Sequence, residues 1–492
     1  MSGSIQPVRV RFAPSPTGRM HLGSARTALY DYLLARRTGG QFILRIEDTD
    51  IKRTVPGSEQ ELMDGLRWLG LEYDEGPDVG GPCGPYRQSE RREVYHQHAW
   101  MLVEKGAAYP CFCAPDRLER VRQERQKQKL NTGYDGACRL LDPDEARRRA
   151  KSGEKHVIRF KSPREGETSV VDLLRGPINV PNNMIDDYIL LKSDGLPTYH
   201  LAAMVDDHLM DITHVIRGAE WLSTFPLHAL IVRAFGWQEP LWVHLSVFLK
   251  PSGKGKMSKR DTAIAMDSGY SIYISDLKDL GYLPEGVLNW IVLMGWGVSA
   301  DDVMTLDQMV KRFDINSLNP APAAINFTKL DHFSGMHIRM LPPEELARRV
   351  KPYFKQADEA ALLKIVPLIR ERLVTLDEAP QWAEFFFQET VTPNPEELVG
   401  KKITPAESAV VARKCLQVLE GLPEITAETA EPPMRRLVED LVLSANQVFG
   451  ILRVAVTGQT VSPPLFESME IVGKEKVLER VRNAIAVLEK MV

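Results

Sequence analysis

Two short stretches of this chain carry side chains suited to chemistry on a polyphosphate. The first, RFAPSPTGRMHLGSAR at residues 11 to 26, places His21 between Gly18 and Gly23, just ahead of a helical pattern. The second, PSGKGKMSKRD at residues 251 to 261, sets Lys254, Lys256, Lys259 and Arg260 among small residues. An imidazole and several ammonium groups can stabilise negative charge as it builds on phosphate oxygens, and a glycine-rich cationic loop can fold over a triphosphate. A charge run alone is usually a solvated face. The pairing of the two stretches, rather than either one, points to a nucleotide.

What must hold them in place is a strand, a loop and a helix. Val8, Val10 and Phe12 alternate with Arg9 and Arg11, the period-two signature of a strand. Ala25, Ala28, Leu29, Tyr32 and Leu33 recur at helical spacing, with Ser24 expected as the cap and Gly39 and Gly40 as the stop. Phe42, Leu44 and Ile46 then alternate ahead of Glu47, Asp48 and Asp50. The result is a strand, helix, strand unit with acids at its carboxyl edge, where open α/β sheets bind ligands. The loop holds neither GxGxxG nor GxxxxGK[ST], so the standard dinucleotide and P-loop readings fail.

The whole chain sets the frame. At 492 residues it exceeds one core, and a prior of roughly one domain per 100 to 200 residues suggests three or four units. A net charge of -4 confines any nucleic-acid surface to local patches. MSGSIQPVRV lacks the apolar core of a secretory signal, and VLNWIVLMGWGV at 287 to 298 is too short to span a bilayer. Five cysteines do not make a disulfide scaffold, so a reduced, cytoplasmic enzyme is expected. Strand-like HVIRFK, VVDLL, DDYILLK, THVIRG and LWVHLSVFL, with the helical EWLSTFPLHALIVRAFG, keep an α/β texture as far as the second stretch. Beyond residue 336, PPEELARRVKPYF, AESAVVARKCLQVLEGL and KEKVLERVRNAIAVLEKMV are helical. These patterns predict a nucleotide-binding α/β fold over 1–96 and 203–262, both halves in one sheet, split by a mixed insertion at 97–202. A region at 263–335 and an all-helical domain at 336–492 follow.

With these motifs in order, the sequence resembles the class I aminoacyl-tRNA synthetases, whose HIGH and KMSKS signatures stand here as His21-Leu22-Gly23-Ser24 and Lys256-Met257-Ser258-Lys259-Arg260. FILRIEDTD, LGLEYDEGPDVGGP, PYRQSER, LLKSDGLPTYHLA, MVDDHLM and VIRGAEWL, with LRVAVTGQTVSPPLF and VGKEKVLERV near the end, extend the likeness to the bacterial glutamyl branch over essentially the whole chain. Leu22 for isoleucine is a volume-conserving departure, and Ser24 for histidine removes one phosphate donor. The resemblance implies a Rossmann-like parallel sheet split by an α+β insertion that holds the tRNA acceptor end. A stem-contact region and an all-α anticodon-binding domain would come after it.

It also implies ATP, Mg2+, L-glutamate and glutamate tRNA as substrates and partners, with glutamyl adenylate as the intermediate. His21, Lys256 and Lys259 are the implied catalytic groups, and Pro14, Gly18, His21, Gly23, Ser24 and Lys259 the ATP contacts. For the amino acid, the resemblance implies that Arg11 grips the γ-carboxylate with Tyr199 beside it, Ser15 and Glu47 hold the ammonium, and Arg217 and Trp221 line the rest. Plainer readings stand beside these: a capping or core histidine at 21, an outward strand residue at 11, a solvated acid at 47 and core aromatics at 199 and 221. Arg370 and Arg372, in LIRERL, are carried over as anticodon contacts, and the basic run at 117–129 as a contact to phosphate. Cys111, Cys113 and Cys138 have a spacing that in some relatives a histidine completes to bind zinc, but that position is Leu140 here. Buried free cysteines are therefore expected rather than structural zinc, with His156 or water as the alternative completion. A monomer without a membrane segment is expected, and charging of glutamine tRNA is left open. An inactive tRNA-binding homologue should have lost His21 or Lys259, and both are present.

Overall fold

Arg9 to Phe12 form strand β1 (Arg9–Phe12), which runs parallel to β2 (Gln41–Leu44), with the helix Leu22–Thr38 as the crossover. In β2, Phe42, Ile43 and Leu44 are all buried, so the expected half-exposed alternation gives way to a strand covered on both faces, as parallel strands usually are. The two glycines that end the crossover helix do different work. Gly39 takes the left-handed conformation, φ 67°, and closes the helix. Gly40 passes so close to the backbone oxygen of Val8 that a Cβ there would collide with it, and this approach lets Gln41 donate its N–H to Val8 at 2.8 Å.

The computed structural model describes residues 7–257, 269–297, 299 and 302–492. These divide into a unit of Met1–Lys278 with Val287–Phe327 and a unit of Asp279–Gly286 with Thr328–Val492. In the first unit, β3 (Ala108–Cys111), β4 (Val157–Phe160) and β7 (Ile189–Leu191) form an antiparallel sheet in the order β3-β4-β7. A second sheet runs β6-β5-β9-β8, from β5 (Glu167–Asp172), β6 (Gly176–Pro181), β8 (His214–Gly218) and β9 (Leu241–Leu245). Here β8 and β9 are parallel, and β5 joins β9 in parallel at Asp172 and Trp242. Two strands of the stretch read as an insertion thus share a sheet with the strands that follow it. Between β1 and β8 the backbone link is Thr213 N–H to Arg9 C=O at 2.9 Å. Further along, the Arg11 guanidinium donates to the Ile216 carbonyl at 3.2 Å, and a side chain then occupies the acceptor a ladder would use. The expected single sheet is for this reason two ladders laid side by side.

The second unit contains no strand among its described residues. Helices Pro343–Val350, Glu359–Ile369, Pro405–Glu420, Ala427–Asp440, Ala445–Thr457, Leu465–Val472 and Lys474–Glu489 pack around Leu346, Val366, Ala412, Ile451 and Val481. Capping boxes at Thr404 with Glu407 and Ser444 with Gln447 start two of them. Arg480 is buried in this core and donates to the carbonyls of Val456 and Phe385 at 2.8 and 2.9 Å, satisfying backbone at the ends of its neighbours. Among the described residues no helix is long and apolar enough to cross a membrane.

Gly40→Ala is expected to destabilise the first unit by about 1–3 kcal/mol, the usual range for an overpacked contact. Urea unfolding reads it, and an unchanged midpoint would show that Val8 yields freely.

Candidate active site

At the carboxyl ends of β1, β2, β8 and β9 lies a cavity of about 1170 Å³. Pro14, Ser15, Gly18 and His21 line it from the loop after β1, and Gly23 and Ser24 from the first turn of the crossover helix. Arg11 and Glu47 line it from β1 and the end of β2, Tyr199, Arg217 and Trp221 from the far side, and Lys256 from the second stretch. All these residues, picked from sequence, share one space. Arg370 and Arg372 belong to the other unit. Lys259, with Ser258 and Arg260, lies outside the described residues.

The helix cap is His21, not Ser24. Its Nδ1 accepts from the backbone N–H of Gly23 and Ser24 at 3.0 and 3.3 Å, because the imidazole reaches one turn forward where a serine at 24 would already be inside the helix. An accepting Nδ1 puts the proton of the neutral ring on Nε2, which therefore serves as a donor; Ser24 Oγ lies 3.3 Å from it. The capping reading and the phosphate reading are thus compatible, one nitrogen for each. Gly23 is explained by the same ring, since a Cβ would come within 2.9 Å of His21 Cε1. Gly18 sits at φ 130°, a turn conformation open only to glycine.

The chain around the second stretch is tied to the first. Met257 donates its N–H to Phe248 at 2.8 Å, and Lys256 Nζ stands 3.9 Å from Glu220. Downstream, Leu22 N–H donates to Ile272 at 2.9 Å and Ile274 N–H to Met20 at 3.0 Å. Met257 and Ile272 both line the cavity.

Below the cavity floor lies a buried ionic cluster that sequence reading missed. Asp207 accepts from Arg11 through Nε at 2.9 Å and Nη2 at 3.4 Å, and from Arg45 Nη1 at 2.8 Å. Arg45 is fully buried and reaches Glu47 at 3.2 Å with Nη2. Asp206 next door accepts from Arg91 Nε, Gln88 and Tyr95, each at 2.8 Å. Burial works against the Asp207 carboxylate, yet Arg11 and Arg45 hold it below the usual range. Burial pushes the Glu47 carboxyl up to about 7, against the pull of Arg45 and Arg11. Arg11 is 3 % exposed, so it is not an outward strand residue. Each of its three nitrogens donates once to protein, and the two remaining N–H bonds of a five-donor guanidinium are left for the cavity it lines. MVDDHLM carried the signal: paired acids on a helix otherwise apolar at those positions call for buried cations.

Opposite, Tyr199 and Trp221 stack at 3.8 Å with 22° between rings, a flat wall on the cavity rather than interior filling. Away from this site, the sulfurs of Cys111, Cys113 and Cys138 lie within 4.8 Å of one another. Leu140 is 90 % exposed and His156 turns Nδ1 to the Glu154 carbonyl. Tyr134 instead brings its hydroxyl to 3.4 Å from Cys111 and 3.5 Å from Cys113. The three sulfurs are of the type that holds a thiophilic divalent ion, and Tyr134 engages the cluster by hydrogen bonds, accepting the Cys138 N–H at 2.8 Å. The basic run forms the helix Pro115–Lys127, which buries no residue. In the second unit, Arg372 lies over the Trp382 ring, 5.1 Å to its centre, and Arg370 Nε is 3.6 Å from Glu371.

The class of protein to which a cavity-bearing α/β unit and a helical unit belong is given by comparison with known proteins. Residues 7–332 match the family of class I tRNA synthetases (E and Q), catalytic domain, and residues 345–485 match the family of anticodon binding domains. The chain is 42% identical over 510 residues to a glutamate–tRNA ligase of Chloroflexus aurantiacus, covering 100% of both chains. It is 41% identical over 500 residues to one of Borrelia recurrentis, covering 99% of this chain and 97% of that one. A crystal structure of a glutamate tRNA ligase from Elizabethkingia meningosepticum, in complex with its amino acid, superposes with a TM-score of 0.89 at 36% identity, over 98% of this chain and 100% of that one. The chain belongs to the glutamyl branch of the class I aminoacyl-tRNA synthetases, the glutamate–tRNA ligases.

Asp207→Ala leaves two arginines buried without their shared anion and is expected to cost about 3–5 kcal/mol, as loss of one partner from a buried pair does. Thermal or urea unfolding checks it, and a loss under about 1 kcal/mol would place the cluster in effective contact with water.

Proposed function

We propose that this chain ligates L-glutamate to the 3′ end of glutamate tRNA in the cytoplasm, with ATP consumed and AMP and pyrophosphate released. What supports the reading is a single cavity lined by the described residues implied for ATP and by those implied for glutamate. A carboxylate is a poor acyl donor, so its oxygen first attacks the α-phosphorus of ATP and pyrophosphate leaves. A ribose hydroxyl of the terminal adenosine then attacks the acyl carbon and AMP leaves. Neither step needs a protein nucleophile; positioning and charge stabilisation lower the barrier. Mg2+ arrives with ATP and neutralises part of its charge.

In this reading His21 donates from Nε2 to a phosphate oxygen, while Lys256 and Lys259 offset charge on the departing pyrophosphate. Pro14, Gly18, Gly23 and Ser24 shape the nucleotide's bed. Arg11, Tyr199 and Arg217 face the γ-carboxylate, Ser15 and Glu47 the ammonium, and Trp221 closes the wall. A glutamine substrate would leave guanidinium charge unpaired, which is how a site of this kind rejects it. The 97–202 stretch holds the acceptor end, the 263–335 region contacts the stem, and Arg370 and Arg372 meet anticodon bases, where a guanidinium beside a tryptophan suits unstacked rings. Zinc analysis of the purified chain distinguishes a metal at the cysteine cluster from three free thiols.

Glutamate-dependent ATP–pyrophosphate exchange, run without tRNA and then with glutamate or glutamine tRNA, tests the reaction and its tRNA range together. Lys259→Ala is expected to lower exchange by about 100- to 1000-fold in a folded protein, the scale for one charge-stabilising donor. Near-normal exchange would remove Lys259 from the mechanism. The Glu47 carboxyl, raised to about 7, must be ionised to hold an ammonium, so the KM for glutamate should fall as pH rises through that value. In Glu47→Gln this pH dependence should vanish and KM stay high; a pH profile like that of the wild type would assign the ammonium elsewhere.

A further inference from the structure

Arg217, His244 and Asp172 stand side by side on neighbouring strands β8, β9 and β5. Arg217 pairs in register with His244, and Asp172 with Trp242 just before it. The Arg217 Nε–H donates to His244 Nε2 at 2.9 Å, and Nδ1 of the same ring lies 2.7 Å from Asp172 Oδ2. Arginine has no acceptor, so Nε2 must accept, the ring proton sits on Nδ1, and that N–H donates to Asp172. Burial, helped by Arg217, lowers the histidine below its ordinary range and keeps the ring neutral. Asp172 is itself fixed: Oδ1 accepts the backbone N–H of Leu174 and Arg175 at 3.0 Å, and Oδ2 the backbone N–H of His244 at 2.9 Å.

The other end of this chain of contacts is at the cavity, which Arg217 lines. Its Nη1 donates to the Tyr199 hydroxyl at 3.4 Å. Its Nη2 is buried and has no hydrogen-bond partner among the described residues, an arrangement costly to leave unmade. We propose that Asp172 and His244 are positioning residues: they fix the rotation of the Arg217 guanidinium so that Nη2 is held for the side-chain carboxylate of the amino-acid substrate. The inference rests on the glutamate reading above and adds to it two residues that touch no substrate. A guanidinium free to turn would lose the two-pronged geometry that separates a carboxylate from an amide.

The test uses the full chain in ATP–pyrophosphate exchange with glutamate tRNA present, the KM values for glutamate and ATP measured separately, and folding followed by thermal unfolding. His244→Phe keeps a ring and deletes both hydrogen bonds. Asp172→Asn can donate to Nδ1, which turns Nε2 into a donor facing Arg217. Each is expected to raise the glutamate KM about tenfold or more, and to leave the ATP KM within about twofold. Neither should add to the loss already caused by Arg217→Ala. His244→Gln, whose amide oxygen can still accept from Arg217, should recover most of the glutamate KM. An equal rise in both KM values, an unchanged glutamate KM, or full additivity with Arg217→Ala overturns the proposal. Should His244→Phe fail to fold, the coupling of Asp172→Asn with Arg217→Ala decides it by the same criterion. A wild-type protein without glutamate-dependent exchange refutes the functional reading instead, so the two failures are distinguishable.

Discussion

The catalytic unit depends on one carboxylate shared by two arginines. Asp207 holds Arg11 of β1 and Arg45 beyond β2 in an interior where either guanidinium alone would be strongly disfavoured. Because Arg11 also donates to the backbone of β8, this anion sets the spacing between the first ladder and the second, and with it the width of the cleft above. Glu47 is drawn into the same field through Arg45. The floor of the site is thus a rigid electrostatic lattice, and catalysis by charge placement requires such rigidity.

Much of this architecture was readable beforehand, and the successes share a cause. The β1 and β2 strands, the crossover helix and the helical second unit are specified by local periodicity, which survives in one dimension. The residues brought together from His21 to Trp221 were placed by ordered motifs, and they do line one space. Hidden were matters of three-dimensional accounting. Ser24 looked like a cap because its type is right, yet the imidazole at 21 does the job and in doing so orients its own outer nitrogen. Arg45 reads as an ordinary strand-end cation, and only the fold shows that it is sealed from water. Tyr134, only four residues before Cys138, was overlooked because no spacing rule assigns a hydroxyl to a cysteine cluster.

The second unit follows a different logic. Its helices are held by a continuous apolar core and defined caps, with Arg480 as the notable polar intrusion. Such a scaffold can present side chains on its outer faces without a buried network of ion pairs like that of the catalytic unit. The two units therefore differ in what would unsettle them: loss of one anion in the first, loss of apolar volume in the second.

Strands β5 and β6 extend the sheet of β8 and β9 although they arise from the stretch between the two α/β halves. That stretch is accordingly no detachable cassette. Excising it, or grafting one from a distant homologue, would strip β9 of a neighbour and expose an unprotected sheet edge, the kind of surface on which proteins aggregate. Whatever else of the stretch is altered, the β5–β6 hairpin must stay with the sheet it borders.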